Sequence, residues 1–150
     1  MYVRSVSLVL RGKEDQGASD MRIDEVVRGE VVIMRPKGRL TLETEGEFRE
    51  AVRRLFDIGR TRLVLDLANV PYVDSCGLGA MIQEFISARR RGGGLKLLNV
   101  CGHIRHLLAV TKLLTVFETF ESEDAAARSF FERGPRGGAR SSSPGGAFFS

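Results

Sequence analysis

The sequence predicts an α/β fold, a small mostly parallel mixed sheet with about four helices. Short, mostly apolar runs, residues 63–67 and 95–100, suit strands covered on both faces rather than one. Longer segments between them repeat their apolar residues at helical spacing. Strand and helix therefore alternate, which requires crossover connections and parallel pairing.

Taken in order, residues 1–20 hold a short alternating piece at 6–10 and a polar stretch at 11–20. They read as an N-terminal extension, non-native or from a misassigned start, with Met21 as the expected initiator of a domain covering 21–133. Val26, Val27 and residues 31–34 flank Gly29 as two short strands of a hairpin. Pro36 and Gly38 break that run, and a brief extended piece reaches Leu40 and Leu42. Thr44 and Glu47 fit a capping box, and Phe48, Val52, Leu55 and Phe56 follow at helical spacing toward a stop near Gly59.

Residues 63–67 are the expected central strand. A turn through Asn69, Pro71 and Asp74 leads into a helix whose stripe is Leu78, Met81, Ile82, Phe85 and Ile86. Asp74 or Ser75 supplies its cap, Gly77 and Gly79 permit close backbone approach, and Arg89, Arg90 and Arg91 meet its negative end before Gly92. Residues 95–100 form the next strand. Ile104, Leu107 and Leu108 mark a third helix, and a short strand is expected around Val116 and Phe117. Ser122 caps a last helix with Phe130 and Phe131 on its buried side. Residues 134–150 are rich in Gly, Ser and Pro without a periodic stripe, and are expected to be a disordered tail in which Phe148 and Phe149 are incidental.

The stretch Asp74-Ser75-Cys76-Gly77-Leu78-Gly79 thus opens a helix at the carboxyl end of a strand. Free N–H groups and the helix dipole favour an anion there, so a hydroxyl or thiol in the first turn is a candidate for a covalent phosphate or an activated thiolate. The plainer reading makes Ser75 an ordinary cap.

This motif, in this order of elements, resembles the STAS domain of bacterial anti-sigma factor antagonists. The resemblance runs from about Ile23 to about Phe131 and takes in Gly38-Arg39-Leu40-Thr41, the strand at 95–100 and the segment 104–117. It implies a cytoplasmic binding module without catalysis of its own. Its implied partner is an anti-sigma factor that is a serine kinase of histidine-kinase-like ATPase fold, with a serine phosphatase as a further partner. Docking would release the sigma factor, and phosphorylation would oppose docking. In that family the residue before Gly-Leu-Gly is the phosphorylated serine or threonine; here Cys76 stands in its place, and Ser75 matches a neighbouring serine that is usually not the acceptor. The resemblance therefore makes Ser75 and Cys76 the regulatory residues. It centres the contact surface on Asp74, Ser75, Cys76, Gly77 and Leu78, with Gly38, Arg39, Leu40 and Thr41 contributing. It also leaves an alternative, a STAS subunit of a transport system or sensory scaffold that binds its partner without phosphoregulation.

Other classes fare worse. The chain of 150 residues carries +4, but residues 1–20 balance to zero and Arg136 and Arg140 hold two of the four, leaving +2 on 21–133. A small excess on a mixed surface without interleaved aromatics argues against nucleic-acid binding. No apolar run approaches a membrane span of about 18 residues. Cys76 and Cys101 lack metal-ligand spacing and suit a reducing compartment. His103 and His106 lie three apart without an acidic or thiol neighbour at a matching interval, so no metal is expected. Asp66 and Asp74 are better read as satisfying backbone donors than as a magnesium pair, and the glycine clusters lack the lysine of a phosphate loop, so no cofactor is expected. A reactive Cys76 lacks a partner base, a resolving cysteine and a CxxC motif; a small side chain filling the family's serine position is the more economical account.

Overall fold

Strand β4 (Arg62–Asp66) is the hydrogen-bonded centre on which the remaining elements are hung. The computed structural model describes residues 3–9, as backbone, and 21–132. The sheet has six strands in chain order: β1 (Val3–Val9), β2 (Arg22–Arg28), β3 (Val31–Lys37), β4, β5 (Gly94–Leu98) and β6 (Thr119–Phe120). The first three are antiparallel neighbours, and β3, β4, β5 and β6 pair in parallel. Residues 3–9, set apart above as an extension, thus lie along β2 at the sheet edge. The tail beyond Glu132, with Phe148 and Phe149, lies outside the described residues.

Period-two geometry divides each strand between two faces. Val32, Leu63 and Leu95 line up across the register on one face, and so do Met34, Leu65 and Leu97. Every crossover steps to the next strand in the same direction, so the right-handed rule puts the crossover helices on one side. These are α1 (Glu45–Asp57), α2 (Ser75–Arg90) and α3 (Gly102–Val110), whose Phe48, Val52, Met81, Ile104 and Leu108 join that face in the main core. Between α1 and α2, Arg49 reaches the buried Glu84 at 3.6 Å and also bonds Glu45 and Gln83.

The opposite face is part apolar and part ionic. Val31, Ile33, Val64 and Leu98 are covered by Ala126 and Ala127 of α4 (Glu123–Ser129). Around them Arg28 bonds Glu123 and Asp124, and Arg35 spans Glu123 and Asp66. The Arg28 guanidinium beside Asp124 holds that carboxyl below its usual range. Ser122 Oγ accepts from Ala125 N at 3.2 Å, the expected cap.

Four local expectations are corrected. Thr44 precedes α1 without capping it: its hydroxyl donates to Arg39 O at 2.6 Å and accepts from Thr41 N at 2.9 Å, so the turn before the helix captures the side chain. The extended piece at Leu40 and Leu42 shortens to one parallel bridge, Leu40 to Val73. The last strand lies at Thr119–Phe120; Phe117 instead plugs the core after a 3-10 turn (Leu113–Thr115), edge-on to Phe85 at 5.0 Å. Phe131 is exposed, with the Arg62 guanidinium over its ring, while Phe130 is half-buried.

Gly93 marks where the end of α2 meets β4. A Cβ there would lie 1.9 Å from Thr61 O, so only glycine fits. Beneath α1, Glu25 is buried on the sheet, and burial pushes its carboxyl up from 4.5 against the opposing charge of Arg54. A carboxyl raised in the folded state stabilises fully below its unfolded pKa, and that contribution is lost as pH rises through the folded value. Glu25→Gln should therefore match wild type near about pH 4 and be the more stable protein near about pH 7, read as urea midpoints at both. A variant less stable than wild type at neutral pH would contradict this sign.

Candidate functional site

Two loop segments at the carboxyl end of the parallel strands are sewn together before α2 begins. Gly38 N donates to Asn69 O at 3.1 Å, Leu40 N to Tyr72 O at 2.9 Å and Asp74 N to Leu40 O at 3.2 Å. Asp74 has extended dihedrals and closes the arrangement as the helix cap. One carboxylate oxygen accepts from Gly77 N at 2.8 Å, and the other accepts from Leu42 N at 3.2 Å. The second bond ties the cap to the neighbouring loop, which an ordinary N-cap does not do.

Gly77 then packs on Leu40. A Cβ at Gly77 would lie 2.1 Å from Leu40 O, inside van der Waals contact with backbone that cannot move aside. Gly79 has no such neighbour, so the close approach expected of both glycines belongs to Gly77 alone.

All nine residues singled out from sequence therefore meet in one place, but they differ in exposure. Leu40, Thr41, Gly77 and Leu78 are buried and act as the base. Gly38, Asp74 and Cys76 are half-buried. Ser75 and Arg39 are exposed, so the Ser75 hydroxyl faces solvent on the first residue of the helix while the Cys76 thiol is partly covered. No acidic residue stands in the first turn of α2. A phosphate on Ser75 would sit at the positive end of the helix dipole, next in sequence to the Asp74 carboxylate that already caps it.

Three surface features stand beside these nine residues. Leu42 is 63% exposed beside the Asp74 cap, and Tyr72 is 38% exposed. The Tyr72 ring stacks on His103 at 5.0 Å with a 16° tilt, and the Arg39 guanidinium lies 5.0 Å from the same ring. His103, in the first turn of α3, thus has an aromatic partner from the loop before α2, a pairing between segments distant in sequence that no local spacing announces. Asp66 and Asp74 have separate duties. Asp66 accepts from Ala68 N and from the Asn99 amide, each at 3.0 Å, and pairs with Arg35. Among the described residues, no group of three His, Cys, Asp or Glu side chains is placed to hold a metal ion, and no helix is long and apolar enough to cross a membrane.

Comparison with known proteins bears on this geometry. The model of the STAS domain matches residues 22–126. A Bordetella bronchiseptica protein named as an anti-sigma factor antagonist, BtrV, is 32% identical over 80 residues, covering 53% of this chain and 69% of that one. Among solved structures, an anti-sigma factor antagonist from Thermotoga maritima superposes with a TM-score of 0.69 at 22% identity, over 72% of this chain and 93% of that one. A sulfate transporter family protein from Wolinella succinogenes gives 0.57 at 19% identity, over 70% and 88%. At those identities the two structures speak for the fold alone.

The double role of Asp74 sets an expectation for stability. Asp74→Ala should cost about 1–2 kcal/mol, while Asp74→Asn, which keeps an acceptor oxygen, should cost a fraction of that. Gly77→Ala should exceed both, because its methyl group meets backbone. Urea denaturation of the three variants orders them, and equal midpoints for Asp74→Ala and wild type would remove the cap from this account.

Proposed function

The chain belongs to the STAS domain family, and on that premise we propose that it is an anti-sigma factor antagonist working by partner switching. The module is residues 21–133. Its partner is an anti-sigma factor of the serine kinase type with a histidine-kinase-like ATPase fold, and docking frees the sigma factor which that kinase holds. A serine phosphatase would reverse any phosphorylation. The protein itself binds without catalysing a reaction, and it acts in the cytoplasm.

The observation that carries this reading is the presentation of Ser75 and Cys76 on a helix start locked to the neighbouring loop by Asp74 and Gly77. A rigid, small-residue surface suits docking with little ordering cost. Phosphate on this surface would add up to about two negative charges and oppose an interface built for a neutral side chain.

Cys76 occupies the usual acceptor position, so the native chain lacks the hydroxyl that the kinase would modify there. That feature favours a second reading, in which a transport or sensory complex uses the module as a fixed docking piece. Affinity capture of the full chain from its native host, with mass spectrometry of what co-purifies, separates the two. An ATPase-fold kinase supports the switch, and transporter components overturn it.

Two substitutions test the switch itself. Cys76→Ser should create or greatly increase phosphate incorporation by the co-purifying kinase; equal incorporation in wild type and variant would clear Cys76 of responsibility. Ser75→Asp should weaken kinase binding by about tenfold or more, and an unchanged affinity in titration calorimetry would move the contact surface elsewhere.

A further inference from the structure

We propose that Arg39, Tyr72 and His103 form the element that selects the partner, by engaging an acidic patch on the kinase; the proposal rests on the anti-sigma factor antagonist reading above. The three side chains come from three separate segments and converge on one ring. The Arg39 guanidinium and the His103 imidazole both lie 5.0 Å from the Tyr72 centroid, and Arg39 and His103 are exposed. Their backbones are held: Leu40 N bonds Tyr72 O, Arg39 O receives the Thr44 hydroxyl, and Leu40 bridges Val73.

Placement makes this ladder part of the docking face. Tyr72 stands two residues before the Asp74 cap, and Leu42, bonded to that cap, is 63% exposed. The Asp74 cap that precedes Ser75 is thereby tied to the backbone of one exposed apolar residue and follows two residues after an exposed aromatic one. Tyrosine and arginine dominate the energetics of interfaces because they contribute large contact area with few freely rotating bonds, and here the stacking has already restricted them.

Charge identifies the occupant. Arg39 is a permanent cation, and α3 continues from His103 with exposed Arg105 and His106 and no acidic residue along its length. Three carboxylates nearby in sequence, Glu43, Glu45 and Asp74, keep their charge, with Glu45 paired to Arg49 and the other two hydrogen-bonded within the chain. Asp74 accepts from Leu42 N and Gly77 N, and Glu43 accepts from the Thr41 hydroxyl at 3.0 Å. A guanidinium on a ring, bordered by imidazoles, matches carboxylates on a partner surface and repels a basic one.

The experiment uses the full chain and the purified kinase that co-purifies with it, titrated at low and moderate salt. Arg39→Glu should weaken binding by about tenfold or more and flatten its salt dependence, with Arg39→Gln between the two. Arg90→Glu, at the far end of α2, should change affinity by less than about twofold. Denaturation midpoints equal to wild type confirm that Arg39→Glu is folded. A Glu→Lys change in the kinase that restores binding of Arg39→Glu identifies the acidic contact. If wild type and Arg39→Glu bind the kinase equally, or if the substitution alters only self-association, the proposal is overturned and the function stands. If wild type does not bind the kinase, the function reading falls and takes the proposal with it.

Discussion

The contact between Gly77 and the Leu40 carbonyl is the constraint on which the rest of the functional end depends. It requires glycine at one position, because any Cβ would overlap backbone. It also requires the loop at 38–42 to arrive in one conformation, which the Leu40–Val73 bridge and the hydrogen bonds to Asn69 and Tyr72 enforce. Asp74 then binds donors on both sides of the contact, Gly77 N in the helix and Leu42 N in the loop. The start of α2 therefore cannot shift without moving the loop, and the surface formed by Ser75, Arg39, Leu42 and Tyr72 behaves as one piece.

Below that surface the sheet treats its two faces differently. The face under α1, α2 and α3 is close-packed and apolar, and among its carboxylates burial raises both Glu25 and Glu84, the latter against the opposing charge of Arg49. The other face is covered by a helix of seven residues that buries only two alanines and holds on through Glu123 and Asp124 to Arg28 and Arg35. These pairs are part-buried except at the exposed Asp124, and salt screens the solvent-facing ones. Stability therefore resides chiefly on the three-helix side, which also carries α2 and its N-terminus. The candidate site is built on the half of the molecule with the larger apolar core.

Most of the fold was legible in the sequence because its signals are local. Residues 63–67 and 95–100 were apolar enough to be strands, Phe48, Val52, Leu55 and Phe56 were periodic enough to be a helix, and Gly29, Asp74, Gly92 and Ser122 marked ends. The motif at 74–79 also located the site. What escaped was decided by contacts between distant segments. Thr44 left its helix for Arg39 O and Thr41 N. Phe117 went into the core against Phe85, which displaced the last strand to Thr119 and Phe120. His103 was considered only as a metal ligand beside His106, although its ring stacks on Tyr72. Exposure was equally illegible: the motif names Gly77, Leu78 and Leu40 alongside Ser75, yet the first three form the floor and Ser75 the surface.

That division matters for Cys76. Successive residues on a helix point about 100° apart, so Ser75 and Cys76 address different directions although they adjoin in sequence. The structure reflects this, with one exposed and the other half-covered. On the partner-switching reading proposed above, a kinase aimed along the direction of residue 76 would meet a half-covered thiol, while the hydroxyl of residue 75 lies on another side of the helix start. To reach residue 75 it would have to approach from that other side, and so meet a different surface. The identity of residue 76 therefore fixes more than the presence of a hydroxyl. On that reading it would couple chemical regulation to docking geometry, and a cysteine there would keep the surface while separating it from a modification aimed at that position.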